Sequence, residues 1–287
     1  MSEDATRDVP FVQSVFHPSD FSEASLNAFA HALVLALVRQ TELTLLHVGK
    51  EYLAEDEWSK FPPVRRILEH WGLLEEGSPR SAIFDEFNVR VNKVNLRSLA
   101  PFRAVTKYLD EHPTDVIVLA TEGRQGMPRW LRSSAAEKLA RRTGTHTLFV
   151  PNSTRGFVSL QDGEVTLRRV LVPVDRRRDP TAAVVIASRT PALTGGEPVE
   201  IILLHVGEAA GMPAIERPEA PACSYREEQR SGDVVEQILA AAREHDVDLI
   251  AMTTSGGSIL DALSGTHTEQ VLRRSPCPVL AVQGTSA

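Results

Sequence analysis

Short apolar runs along this chain alternate with longer segments whose apolar positions recur every three or four residues. That alternation predicts βαβ units and a parallel sheet covered on both faces. The runs predict strands near 12–17, 42–48, 88–94, 115–120 and 146–150, and again near 169–174, 199–206, 222–228, 247–252 and 278–282. The amphipathic segments predict helices near 23–39, 98–111, 133–142, 180–190, 232–244 and 265–274. Ser22, with Ala24 and Ser25 behind it, makes a helix start, and Pro113 and Pro151 mark stops. The longest apolar run, Ala28 to Val38, is interrupted by His31 and falls well short of the ~20 residues a spanning helix needs. It reads as a buried helix, and no membrane partner is expected.

The pattern occurs twice. Ser14-Val-Phe-His-Pro-Ser-Asp20 answers to Arg169-Val-Leu-Val-Pro-Val-Asp175, and Leu45-Leu-His-Val48 recurs as Leu203-Leu-His-Val206. Further on, Thr114-Asp-Val-Ile-Val-Leu119 answers to Val247-Asp-Leu-Ile-Ala-Met252. The offset falls by about 25 residues between these pairs, which places an insert in the first copy between its second and third strands. Within it, Val64, Ile67, Leu68, Trp71 and Leu74 have helical spacing, so a short packing helix is expected. The domains are drawn at 1–154, with the insert at about 50–86, and at 155–287, opening on a connector at about 156–167. There Asp162-Gly163 forms a hairpin-turn pair. The fold class is α/β, two tandem doubly wound domains with five parallel strands each.

Composition narrows the partners. The 287 residues are 42% hydrophobic and 24% charged, a globular balance, and the net charge of -7 offers no basic footprint for nucleic acid. Arg176 to Arg178 is too short a run to alter that. Cys223 and Cys277 are too few for a disulfide framework and too far apart for a zinc site, and the acidic, polar N-terminus lacks the features of a secretory signal. A cytoplasmic location is expected.

Open parallel sheets bind ligands beyond the carboxyl ends of their strands. The positions facing that crevice in the first copy are Pro18, Ser19 and Asp20, then Val48, then Ala120 through the loop to Ser133 and Ser134, with Gly123 inside it. In the second copy they are Pro173, Val174 and Asp175, then Val206, then Thr253, Gly256, Gly265 and Thr266. A carboxylate at Asp20 or Asp175 can accept hydrogen bonds from a ribose or an amino group; it can equally be the N-terminal cap of the helix that follows. The glycines allow close backbone approach, and the helix start that follows favours an anion.

Pro18-Ser-Asp-Phe-Ser-Glu-Ala-Ser25, Leu43-Thr-Leu-Leu-His-Val48 and Arg274-Ser-Pro-Cys-Pro-Val-Leu280 together resemble the wording of universal stress protein domains. The resemblance covers both copies and leaves out only the connector and the insert. It implies a Rossmann-like fold of the adenine nucleotide alpha-hydrolase type. It also implies a stress-response role through an unknown protein partner, binding of ATP or another adenine nucleotide with Mg2+ as its counter-ion, and a homodimer built through the last strand of each domain. In a tandem chain those strands can pair with each other or between chains.

Nucleotide-binding members of that family carry G-x2-G-x9-G-[S/T] after the fourth strand, and both copies depart from it. In the first the spacing holds, but Ala120 and Ser133 replace the outer glycines, leaving Gly123 and Ser134. In the second, Thr253 replaces the first glycine, and eight residues separate Gly256 from Gly265-Thr266. The first loop is better preserved by spacing, and in the second Gly265-Thr266-His267-Thr268 supplies the better helix-start anion cradle. Two alternatives stand beside nucleotide binding: an interaction module with degenerate pockets, and a slow ATPase.

No nucleophile with its base, carboxylate pair or ligand cluster stands out, so the reading is a regulator rather than a metabolic enzyme. Ser255-Gly-Gly-Ser258 follows the fourth strand, not the first as in adenylating enzymes. His47 and His205 end apolar strands and read as structural, and His245 reads as a helix-end residue. Cys277 reads as a packed thiol, while a redox role for Cys223 would need an accessible thiol of lowered pKa.

Overall fold

The computed structural model describes residues 12–51, 53, 55–121, 145–151, 156–176, 179–208, 211–254 and 267–284. Among these residues ten strands form one continuous sheet: β1 (Ser14–Pro18), β2 (Glu42–Gly49), β3 (Arg90–Arg97), β4 (Val116–Thr121), β5 (His146–Pro151), β6 (Arg169–Val174), β7 (Val199–Val206), β8 (Cys223–Arg230), β9 (Leu249–Thr254) and β10 (Val279–Gln283). Their order is β3-β2-β1-β4-β5-β10-β9-β6-β7-β8. Each half is parallel throughout, and the halves meet where β5 and β10 pair antiparallel, with Thr147, Leu148 and Phe149 opposite Ala281, Leu280 and Val279. Of the two pairings open to the last strands, the chain makes the internal one, so neither strand is an edge.

Strands buried on both faces must be apolar at successive positions, and the inner strands are, whereas the outer strands β3 and β8 are largely polar. In β7, Ile201 and Leu203 face one apolar layer while Ile202 and Leu204 face the other. The first layer is closed by α1 (Glu23–Arg39) and α5 (Thr181–Ala187), and the second by α4 (Pro101–Glu111), α6 (Val234–Glu244) and α7 (His267–Arg274). The first layer runs unbroken across the seam: Leu148 and Leu280 are cross-strand partners within it.

The predicted α1 limits coincide with the observed helix, whose cap is Ser22, accepting the Ser25 amide proton. The segment expected as one helix over 180–190 is instead α5 followed by a 3-10 turn, Thr190–Thr194, because Pro191 cannot supply the amide that an α-helix would need there. The helix expected over 133–142 lies outside the described residues.

The insert folds as a 3-10 turn (Glu55–Lys60), α2 (Val64–His70) and, at its end, α3 (Ala82–Phe87), one helix more than the spacing predicts. Phe61, Val64, Leu68, Trp71 and Leu74 all join the first apolar layer. The indole N–H of Trp71 donates to the Leu160 carbonyl at 3.1 Å, which ties α2 to the connector. That connector closes through an antiparallel bridge between Val158 and Val165. Gly163 has φ 74°, and a Cβ there would lie 2.6 Å from the Trp71 ring, so glycine is demanded both by the turn and by the indole.

Candidate functional site

In each half the sheet order reverses direction beside the first strand, between β1 and β4 and between β6 and β9, and between β6 and β9 a crevice opens at the carboxyl ends. In the second half it encloses about 200 Å3. Pro173, Val174, Asp175, Val206 and Thr253, all expected to face it, line it together with Met252, Val234, Ile238, His267 and Thr268. The last two belong to the Gly265-Thr266-His267-Thr268 helix start expected to cradle an anion, and they stand at the start of α7. Gly256, Gly265 and Thr266 lie outside the described residues.

The walls of this crevice are apolar except at a few points. Asp175 stands exposed at its rim. Among the described residues, Thr253 Oγ1 and Thr268 Oγ1 are buried without a hydrogen-bond partner. An unsatisfied buried hydroxyl costs roughly 1–3 kcal/mol, so two on one crevice wall are a standing demand for a ligand with hydrogen-bonding atoms. The methyl of Thr253 is turned toward Gly284, where a Cβ would meet it at 3.3 Å. An adenine nucleotide fits this donor set. Asp175 would accept from ribose hydroxyls, the threonine hydroxyls would serve ring or phosphate atoms, and the α7 N-terminus favours negative charge. Among the described residues no cluster of His, Cys, Asp or Glu could hold a metal ion.

In the first half, Pro18, Ser19 and Asp20 follow β1, Val48 lies near the end of β2, and Ala120 near the end of β4, the same places as their counterparts. Gly123, Ser133 and Ser134 lie outside the described residues. Asp20 Oδ1 accepts the Ser22 amide and hydroxyl protons, at 3.0 and 2.5 Å. The expected helix-cap role does not fall to Asp20: the cap is Ser22, and Asp20 holds Ser22 from outside the helix.

Beneath this turn lies a relay that the sequence reading passed over. His17, fully buried, sits 2.9 Å from the Val118 carbonyl through Nδ1, which must therefore donate. Its Nε2 then accepts from Ser25 Oγ at 3.1 Å, Ser19 Oγ lies 3.1 Å from Ser25 Oγ, and the Phe21 amide donates to Ser19 Oγ. Burial pushes the His17 pKa down to about 4, keeping the ring neutral. The relay braces Phe21, a non-glycine residue at φ 64°, whose ring stacks on His47 at 4.0 Å. The clue lay in the internal comparison, since the second copy has Val172 where this one has histidine.

His47 and His205 are equivalent clips. Each donates from Nδ1 to a carbonyl at the end of the neighbouring strand, Ser19 at 2.8 Å and Val174 at 3.1 Å. His245 caps α6 and meets Glu228 at 2.7 Å. Burial raises the Cys223 pKa, and Sγ donates to the Ser188 carbonyl, so this thiol lacks the lowered pKa that redox chemistry requires. Burial pushes Cys277 up to about 12. Among the described residues no helix is long and apolar enough to cross a membrane.

The family model described as "Universal stress protein family" matches residues 13–151 and 208–283. A universal stress protein of Methanothermobacter thermautotrophicus is 40% identical over 67 residues, 23% of this chain and 45% of that protein, so the chain spans under half the length of that relative. Among solved structures, a universal stress protein from Archaeoglobus fulgidus is similar at TM-score 0.58 and 19% identity, covering 95% of this chain and 98% of its own. A functionally unknown protein from Pseudomonas aeruginosa PAO1 is similar at TM-score 0.57 and 15% identity, covering 95% and 92%. These two likenesses concern the fold. The second family match begins at 208, after β6 and β7, so that half of the second copy is identified by the internal repeat and by the sheet order rather than by the model. With the two matched segments together exceeding half its length, the chain belongs to the universal stress protein family, as a tandem of two of its domains.

Proposed function

We propose that this protein binds an adenine nucleotide, ATP or a relative of it, in the crevice of its second domain, and that occupancy alters a surface read by a protein partner. The observation that carries this reading is the pair of buried hydroxyls of Thr253 and Thr268, without a partner among the described residues, on one wall of a crevice whose rim holds Asp175. Magnesium would accompany the phosphates as their counter-ion. The first-domain residues Pro18, Ser19, Asp20, Val48, Ala120, Gly123, Ser133 and Ser134 form the equivalent site, with Asp20 already engaged by Ser22. The domain limits 1–154 and 155–287 belong to the same proposal, as does action in the cytoplasm.

Calorimetry with MgATP, ADP and AMP, together with chromatography of small molecules released from protein purified from cells, tests this. The proposal expects saturable binding that falls about tenfold in Thr268→Val, an isosteric loss of one hydroxyl. Absence of both heat and co-purified nucleotide would overturn it. The rival, an interaction module with a degenerate pocket, is favoured by one observation: a branched Thr253 stands where binding members have glycine. A homodimer would also need a route other than the one expected, since β5 and β10 are consumed within the chain and the outer strands are β3 and β8. Light scattering at dilute concentration reads the mass directly.

A further inference from the structure

The sheet ends in two outer strands, β3 and β8, and their charges are disposed differently. On β8 they are paired within the chain: Arg226 meets Glu200 and Glu228, Arg230 meets Glu228 and Glu244, and Glu227 meets Arg217. On β3, Arg90, Lys93 and Arg97 are exposed and make no ion pair among the described residues. Arg90 and Lys93 lie instead over the rings of Phe84 and Phe61, at 5.3 and 5.7 Å. Lys93 and Arg97 stand beside Leu45 and Gly49 of β2, so neither has an acid across the ladder. Partial burial of its ammonium group, and with it the positive charge of Arg80, pushes the Lys93 pKa down.

The backbone of β3 is open as well. Along a strand, the amide and carbonyl groups of successive residues point to opposite sides. The Ser98 amide, one residue past β3, donates to the Gly49 carbonyl on the β2 side. By alternation the backbone groups of Val91, Lys93, Asn95 and Arg97 point outward, where the sheet has no further strand. The same parity sorts the side chains: these four share the face of the first layer, while Val94 and Leu96 are half-buried on the face of the second. A strand added here meets hydrogen-bonding groups along its length, two cations on one face and apolar side chains on the other.

Two β3 edges brought together would set these cations against one another, so a second copy of the chain is not the occupant. Lysine on an edge strand ordinarily guards against such pairing. On β8, however, the guarding charges are neutralised by neighbours, whereas those of β3 are left to attract an acid. We propose that β3 is a docking edge for an extended segment of another protein in which acidic and apolar residues alternate, added as a further strand and held by Lys93 and Arg97. The edge is separate from the nucleotide crevice and stands whether or not that reading does.

Fluorescence anisotropy of the full chain with a labelled, end-blocked peptide of alternating glutamate and valine, eight residues long like β3, tests this. The peptide should bind saturably at one site in low salt and at least tenfold more weakly at about 0.5 M salt. Its counterpart with glutamine for glutamate should bind at least tenfold more weakly. Of two versions N-methylated at alternate residues, the one whose blocked amides face β3 should lose at least tenfold and the other should not. Lys93→Gln combined with Arg97→Gln should weaken the parent peptide at least tenfold, with folding checked by circular dichroism, while Lys107→Gln, at an exposed lysine of α4, should change nothing. The peptide series on the unaltered chain decides the matter even if the double variant fails to fold. Absence of binding, equal binding of the glutamine peptide, equal binding of the two N-methylated peptides, or binding that survives the double substitution would each overturn the proposal. So would tighter attachment to anionic phospholipid vesicles or duplex DNA than to the peptide, which would give these cations to a polyanion without a strand backbone.

Discussion

His31 Nε2 accepts the amide proton of Phe157 across 3.0 Å, joining the middle of α1 to the connector 126 residues further along the chain. The other ring nitrogen donates to the Asn27 carbonyl at 2.7 Å, so the ring must be neutral for both bonds to stand. A Cβ at Gly156 would meet the imidazole at 2.1 Å, so the connector runs against the ring as closely as a backbone can. The histidine that interrupts the apolar run of α1 is the point where the second domain's lead-in is fastened to the first.

Acid should loosen this fastening. Burial holds His31 and His17 at about 4 in the folded chain, against 6.5 for the free side chain. Between those values the unfolded chain binds more protons, so stability is complete above about pH 6.5 and is lost as pH falls toward 4. Each residue accounts for about 3 kcal/mol over that window. Urea unfolding at half-unit steps should show the fall. In His17→Val, which installs the residue of the second copy, the part of the slope due to that histidine should disappear; an unchanged slope would contradict its low folded pKa.

Gly163 and Gly195 separate two effects that usually travel together. Both have positive φ, 74° and 69°, but a Cβ at Gly163 strikes the Trp71 ring whereas one at Gly195 meets nothing within 4 Å. Alanine at 195 should cost only the left-handed backbone term, about 1 kcal/mol. Alanine at 163 should cost that and a further 1–3 kcal/mol of overpacking, roughly. Thermal unfolding of the two variants should differ by several degrees, and equal values would mean that α2 is not seated on the connector.

The repeated aspartates at the foot of β4 and β9 make a third case. Asp115 Oδ2 accepts the amide protons of Gln13 and Ser14, at 2.8 and 3.0 Å, and Asp248 Oδ2 accepts those of Arg168 and Arg169 at 2.8 and 3.0 Å. The same carboxylate thus starts the first strand of each copy, at the end of each half-sheet away from the strands' carboxyl ends. Asp115→Ala and Asp248→Ala should each lower stability by about 1–3 kcal/mol and leave nucleotide binding unchanged. A loss of binding without a loss of stability would give these residues a different role.

What the sequence disclosed and what it withheld divide along physical lines. Strand and helix positions were legible because burial on both faces forces runs such as Ile201 to Leu204, and a period of 3.6 marks α6. The continuity of the sheet was not, since the pairing of Leu148 with Leu280 depends on which of two geometrically similar contacts the chain closes. The His17 relay was hidden in plain view: a histidine among apolar strand residues has no periodicity to announce it, and its partners Ser19 and Ser25 look like ordinary turn and helix residues. Thr268 was legible as part of the helix start Gly265-Thr266-His267-Thr268, but the burial of its hydroxyl on the crevice wall was not, because that depends on how α7 packs against the strand ends.

Thr253 decides between the two readings of the second crevice. If its branched side chain obstructs the ligand that a glycine would admit, Thr253→Gly should strengthen nucleotide binding and Thr253→Val, which keeps the shape, should change nothing. If its buried hydroxyl is a ligand contact, Thr253→Val should weaken binding by about tenfold, the worth of one hydrogen bond of about 1.4 kcal/mol, and Thr253→Gly should weaken it at least as much. The geometry favours the second outcome: the methyl is directed at Gly284 on the strand side, and the orphaned group is the hydroxyl. Calorimetry on the two variants, measured beside the parent chain, separates the outcomes because they differ in sign for glycine and in magnitude for valine.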